Sequence, residues 1–353
     1  MKKFLTVVLV VAVIMTTFAT VSFAQDPIKV YVTGNQVNFD SQPQIVNGRT
    51  MVPMRAIFEA LGSTVEWEDA TKTITAKSGA KMITLKIGSD KMNVTGNEIT
   101  LDAAPFISGG RTLVPVRAIS EALDCAVSWN DKERTVQVEK KFKSTGSLIY
   151  DGDPCGSPRI LITGNSITHH GASEKIGWTG SYGMAASSKE NDFVHILIKR
   201  VREIHPKATF LVVQAAGWER AFTDENVLNN YRAAQDFRPD IFIYRLGENV
   251  AKENRENLAD YIEKYVKFLT AKSDDPAYIF TTNYWKNEEV DNATREVAQR
   301  FNTVAKEIGH LEDDKSTMAL GLFENSAVAS HPGDKGMLGI ADAIWEDLEL
   351  LIK

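Results

Sequence analysis

One stretch of this chain occurs twice, and the doubling narrows what its first half can fold into. Gly48-Arg-Thr-Met-Val-Pro-Met-Arg-Ala-Ile-Phe-Glu-Ala-Leu61 returns as Gly110-Arg-Thr-Leu-Val-Pro-Val-Arg-Ala-Ile-Ser-Glu-Ala-Leu123. Val32-Thr-Gly-Asn35 returns as Val94-Thr-Gly-Asn97, and Trp67 as Trp129, every pair 62 residues apart. A fixed period means that one supersecondary unit is used twice. Within each copy, short strand-like runs flank a Gly-Asn turn (30–32 and 37–39, then 92–94 and 99–101), a hairpin signature. A helix follows, with Pro53 near its first turn, where a missing N–H costs little. Ile57 and Leu61 fall four residues apart, on one helix face, and that face is expected to pack on the small sheet. A last hairpin is expected around 67–76 and 129–138.

Residues 28–139 resemble the copper amine oxidase N-terminal-like domain, a stalk module of exported bacterial proteins. The motif G-R-T-x-V-P-x-R-A carries the resemblance, once in each copy. The six His of the chain all lie at or after position 169. Without imidazole, and with Cys125 alone, residues 25–140 offer no copper site. Arg55 and Arg117 have two readings, contacts to a polyanion or glycan and ion pairs with their own helix. The repeat domain is expected to be a spacer, with a cell-wall polymer as its possible partner.

Met1-Lys2-Lys3, an apolar run over 4–21 and Ser22-Phe23-Ala24 together read as a secretory signal over 1–24, cut after Ala24. An uncleaved anchor is the alternative. Secretion or attachment at the cell surface is expected, with no later membrane span. The chain has 353 residues, is 43% hydrophobic and carries a net charge of −6. This is globular composition, long enough for two domains. The acid excess argues against a nucleic-acid partner. Cys125 and Cys155 read either as a staple between domains or as two thiols.

Residues 141–157, rich in Gly, Pro, Ser and Asp, read as a linker. From 158 to 353 strand and helix patterns alternate. Strand runs are expected at 159–163, 209–215, 241–246, 278–282 and, weakly, 317–320. Helices are expected at 193–204, 227–237, 258–269, 297–308 and 340–352. This pattern calls for an α/β fold with a parallel sheet covered on both faces. Its site belongs at the carboxyl ends of the strands.

Four segments answer that positional rule: Thr163-Gly-Asn-Ser-Ile-Thr168, Gln214-Ala-Ala-Gly-Trp-Glu219, Arg245-Leu-Gly-Glu-Asn-Val250 and, before the last helix, Ser330-His-Pro-Gly-Asp-Lys-Gly-Met337. In this order they resemble the SGNH (GDSL-type) hydrolase superfamily over residues 158–352. The resemblance implies a three-layer α/β/α, flavodoxin-like domain and a serine esterase that needs no cofactor or metal. It implies Ser166 as nucleophile, His331 as base, and Ser166, Gly217 and Asn249 as the oxyanion hole. Acyl groups, acetyl foremost, on a carbohydrate are the expected substrate. The family's Asp three residues before the base is Val328 here. Three readings stay open: a Ser–His dyad with a backbone carbonyl on the imidazole, a stand-in acid such as Glu324 or Glu248, or a degenerate glycan-binding domain without turnover. Trp178 and Trp218 are a possible sugar platform, or core. His169 is a possible substrate-lining residue. Glu219 and Arg220 are expected to pair with each other or with Arg245, and Asp334 to cap the last helix.

Overall fold

The computed structural model describes residues 26–353, so the expected leader at 1–24 lies outside the described residues. Two compact units divide between Val138 and Glu139. In the first, one copy runs β1 (Lys29–Val32), β2 (Asn35–Gln36), β3 (Gln44–Val46), β4 (Arg49–Pro53), α1 (Met54–Ala60), β5 (Thr64–Glu68) and β6 (Thr73–Ser78). After β7 (Lys81–Lys86), the second copy follows as β8 (Lys91–Val94), β9 (Asn97–Thr100), β10 (Phe106–Ser108), β11 (Arg111–Pro115), α2 (Val116–Ala122), β12 (Cys125–Asn130) and β13 (Thr135–Lys140). The copies interlock. A central sheet has the order β10-β11-β4-β3, and β1 pairs in parallel with β13 of the other copy. Ile57 and Ile119 are buried counterparts in one core with Val52 and Val114.

The second unit contains β14 (Leu148–Asp151), β15 (Arg159–Gly164), α3 (Phe193–Ile204), β16 (Thr209–Gln214), α4 (Ala216–Ala221), β17 (Ile241–Arg245), α5 (Leu258–Leu269), β18 (Ala277–Phe280), α6 (Glu288–Arg300), α7 (Ser326–Ala329) and α8 (Asp334–Ile352). Its sheet has the order β14-β16-β15-β17-β18. The last four of these are parallel and β14 is an antiparallel edge. Successive strand residues face opposite layers. Leu161, Leu211, Val213, Phe242 and Tyr244 enter one core with α5, whereas Ile160, Ile162, Phe210, Val212, Ile241 and Ile243 enter another with α3 and α8. Apolar burial on both faces explains why these strands read as continuous hydrophobic runs.

Four expectations change. The stretch 141–157 contains an edge strand: the apolar Leu148-Ile149-Tyr150 is short enough to be hidden among turn residues, yet it pairs with β16. The fifth strand is therefore β14, not 317–320, which contributes one isolated bridge, Met318 to Pro332. The expected helix at 297–308 lies earlier, at Glu288–Arg300, capped by the Asn287 side chain on the Val290 N–H, and residues Glu225–Phe237 are 3-10 rather than α. Cys125 is buried and Cys155 half-buried, both as thiols.

Strand order positions the site. From β15 the chain goes to β16 on one side, and β17 lies on the other. The loop after β15 thus sits at a topological switch point, where open α/β sheets form a crevice.

Candidate active site

Ser166 lies two residues beyond β15, in a turn tied from below. The Asn165 carbonyl accepts from the N–H groups of Thr168 and His169, at 3.0 Å each. The Asn165 side-chain oxygen accepts from Ile167 N–H at 3.2 Å. His331 lies between α7 and α8, held by its N–H to the Val328 carbonyl at 3.0 Å. The two meet 165 residues apart in sequence: Ser166 Oγ is 2.9 Å from His331 Nε2. The other ring nitrogen, Nδ1, is 2.7 Å from the Ala327 carbonyl oxygen. A carbonyl can only accept, so Nδ1 carries the proton and Nε2 is left as the acceptor for the serine hydroxyl. The imidazole is thereby fixed in the tautomer that a base needs.

Neither stand-in acid touches the imidazole. Glu324 is exposed. The Glu248 carboxylate pairs with Arg245 and accepts from Asn165 Nδ2 at 2.5 Å and from Tyr284 N–H at 3.1 Å. Val328 is 1% exposed, in a cluster with Trp178, Met184 and Ala319. A carboxylate there enters an apolar pocket, so Val328→Asp is expected to cost about 3 kcal/mol. For a unit of this size that is roughly 6–12 °C in Tm, with no gain in kcat. A thermal melt beside steady-state kinetics checks it; a stable, faster variant contradicts it.

Burial pushes the His331 pKa down to about 4, against weaker upward pulls from the Ala327 carbonyl and the Glu248 charge. The ring is neutral, and competent as a base, at pH 7. The kcat/KM profile for an activated ester is therefore expected to rise through a limb near that value and to be level by about pH 6. A limb at about 6.5, where an unperturbed His titrates, contradicts this.

Beneath Ser166 lies a buried polar brace. Glu219, 0% exposed, accepts from Gly247 N–H at 2.5 Å, from Asn165 Nδ2 at 3.1 Å and from Asn249 Nδ2 at 2.6 Å. Asn249 Oδ1 accepts from Arg220 at 3.1 Å, so one amide hydrogen of Asn249 remains beyond the one given to Glu219. Arg245, 1% exposed, donates to Asn165 Oδ1 at 3.0 Å. Burial, then the Glu248 charge, pushes the Glu219 carboxyl up. Gly247 has φ +143°, and a Cβ there collides with Asn283 and Val290, so the loop that carries Asn249 requires glycine. Gly217 is the second residue of α4, directly after β16.

Several expected roles fall away. Trp178 and Trp218 are 3% and 1% exposed. Trp178 packs edge-on against Tyr182, and Trp218 stacks on Tyr265; both are core, not a sugar platform. Glu219 and Arg220 each bind Asn249 rather than each other. Asp334 accepts from Ser187 N–H at 2.7 Å and from Ser187 Oγ at 2.6 Å; it anchors the 187–191 loop and leaves the helix uncapped by a side chain. His169 is half-buried with its Nδ1 unpartnered, and burial lowers its pKa. A residue not singled out in the sequence, Trp285, lies edge-on to His331 with ring centroids 5.0 Å apart. It follows β18, where the positional rule could have found it.

Residues 31–138 match the family described as Copper amine oxidase N-terminal domain. The matched segment has no His and one Cys, a donor set that does not fit copper. A curated protease inhibitor of Brevibacillus choshinensis is 33% identical over 127 residues, 34% of this chain and 38% of that protein; the chain spans about two-fifths of this relative. Among solved structures, a two-domain esterase active on acetylated mannans aligns over 55% of this chain and 50% of its own, at 17% identity and TM-score 0.35. A family two carbohydrate esterase from Cellvibrio japonicus aligns over 82% and 93%, at 11% identity and TM-score 0.39. A GDSL-like lipase from Bacteroides ovatus aligns over 55% and 98%, at 14% and 0.37. At such scores these likenesses add no weight, and the chemistry rests on the residues themselves. Residues 31–138 are thus similar to the copper amine oxidase N-terminal domain, and in the same chain an α/β unit carries a Ser–His pair at its switch point.

Proposed function

We propose that the α/β unit is a serine esterase of the SGNH type, removing acyl groups, acetyl foremost, from a carbohydrate. The observation that carries this is the relay Ser166 Oγ, His331 Nε2, His331 Nδ1, Ala327 O, with steps of 2.9 and 2.7 Å. Ser166 Oγ attacks the ester carbonyl as its proton passes to Nε2. The oxyanion is met by the N–H groups of Ser166 and Gly217 and the remaining Asn249 amide hydrogen. Each such donor is worth about 100- to 1000-fold. As the tetrahedral species collapses, the sugar oxygen leaves with the proton from Nε2, and the acyl group stays on Ser166. Water, deprotonated by Nε2, then attacks the acyl-serine; the acid departs and Ser166 regains its hydrogen.

A backbone carbonyl replaces the usual carboxylate behind the imidazole. The proton sits on the right nitrogen in either case. What is lost is the negative charge of the acceptor facing the imidazolium, worth about 1 kcal/mol, or roughly fivefold in rate. A dyad of this kind remains a working catalyst. The test is release of acetate from acetylated xylan and of p-nitrophenol from p-nitrophenyl acetate. Turnover of both supports the reading. Turnover of the model ester alone removes the carbohydrate part, and turnover of neither overturns the esterase.

A further inference from the structure

The 62-residue repeat is also a symmetry of the folded unit. Strands β4 and β11 pair antiparallel with Val52 opposite Val114, its own counterpart, and with Met51 opposite Pro115 and Pro53 opposite Leu113. An axis of two-fold pseudosymmetry therefore runs between the two valines, and anything one copy builds with the other is built twice. The salt bridges obey it: Arg111 holds Asp40 at 2.6 Å and Arg49 holds Asp102 at 2.7 Å, each joining one copy to the other.

Two grooves of unequal size, about 630 and 170 Å³, lie at equivalent places. One is lined by Asp40, Arg55, Trp67 and Arg111, the other by Arg49, Arg117 and Trp129. Each takes an Arg from the hairpin of one copy, and an Arg and a Trp from the other. Both indoles are half-buried, and both hairpin Arg side chains are about half exposed, at 53% and 45%. Lys72 stands over Trp67 with its ammonium 6.0 Å from the ring, and it also pairs with Asp69.

The charge pattern narrows the ligand. The hairpin guanidiniums already carry carboxylates, and Arg55 faces Glu59 at 3.9 Å. In the first groove a polyanion would have to displace these partners; in the second, exposed Arg117 has no ion pair among the described residues, so the anionic probe is the deciding arm there. A guanidinium has five N–H donors and a carboxylate about four acceptor sites, so each Arg–Asp pair keeps donors and acceptors to spare, side by side. Adjacent hydroxyl groups, each both donor and acceptor, fit such a pair, and an indole presents an apolar face beside a polar edge. We propose that the repeat unit is a bivalent binding module for a neutral glycan chain, one stretch of sugar rings in each groove. The proposal is independent of the esterase reading, since it concerns the other unit.

The test uses the full chain, with soluble glucomannan and hydroxyethylcellulose as neutral probes and linear polyphosphate as the anionic one, in affinity electrophoresis and calorimetry. The parent is expected to bind at least one neutral polysaccharide, with polyphosphate failing to compete. Trp67→Ala and Trp129→Ala should each weaken binding at least about tenfold, and the double variant by about 100-fold or more, as two linked sites require. Because both Trp side chains also pack against the core, Arg49→Ala with Arg111→Ala provides an arm confined to exposed residues, expected to weaken binding at least about tenfold with an unchanged melting temperature. Failure of the parent to bind either neutral polysaccharide, binding unchanged in the double Arg variant, or displacement by polyphosphate overturns the proposal.

Discussion

Replacing Ser166 with Ala is expected to lower kcat/KM on p-nitrophenyl acetate by about 10,000-fold or more, with the melting temperature within a few degrees of the parent. Ser166 is only half-buried, so losing one hydroxyl changes little packing, while the reaction loses the atom that forms the acyl bond. His331→Ala is expected to fall as far, because the hydroxyl without its base is a poor nucleophile. The informative variant is the double one. Two residues that act as a unit are not additive, so Ser166→Ala with His331→Ala should be no slower than either alone. A double variant slower by the product of the two factors would mean that Ser166 and His331 act separately, despite their 2.9 Å contact.

Removing Glu219 is the second large effect expected. Its carboxylate joins the loops after three parallel strands: Asn165 after β15, Glu219 itself in α4 after β16, and Gly247 and Asn249 after β17. Glu219→Ala leaves the Gly247 N–H and the Asn249 amide without that acceptor, while Asn165 keeps its bond to Glu248. Breaking such a buried network costs about 3–5 kcal/mol, so the unit should melt well below the parent. Asn249 also loses the anchor that aims its amide. A fall of about 100-fold in kcat, with KM moved far less, is expected, the signature of a loss felt only as charge develops. Glu219→Gln keeps the shape but turns one acceptor into a donor facing Asn249 or Gly247. It should fall between Ala and parent in both stability and kcat. Kinetics and thermal unfolding on the three proteins check this; full kcat in a folded Glu219→Ala variant contradicts it.

Much of this is legible before folding. The repeat announces itself because 62-residue spacing needs no geometry to detect. The strands β15 to β18 are legible because burial on both faces makes them uniformly apolar. The alternation marks the strand ends, and the resemblance to SGNH hydrolases implies Ser166 and His331 within the segments found there and before the last helix. What is hidden depends on three-dimensional burial. Trp178 and Trp218 follow loop-like or strand-end positions, and nothing local separates a core indole from an exposed one. For Glu219 the sequence suggests a pair with Arg220 or Arg245, and for Glu248 a stand-in acid; only the assembled loops show both carboxylates gathered on Asn165, with Glu248 on Arg245, out of water. The four residues of β14 are masked by their Gly, Pro and Asp neighbours. The carbonyl that replaces the missing acid has no sequence signal at all. It arises from the short helix α7, started by Asn325, which turns Ala327 O toward the imidazole.

Activation of Ser166 by His331 is the step on which all the rest depends, and covalent labelling measures it without any choice of natural substrate. Intact-mass analysis after incubation with a fluorophosphonate should give one adduct, mapping to Ser166. It should be absent in Ser166→Ala and should form at least about 100-fold more slowly in His331→Ala. No adduct, an adduct on another residue, or labelling at the parent rate without His331 would contradict the claim that this pair is a working nucleophile and base.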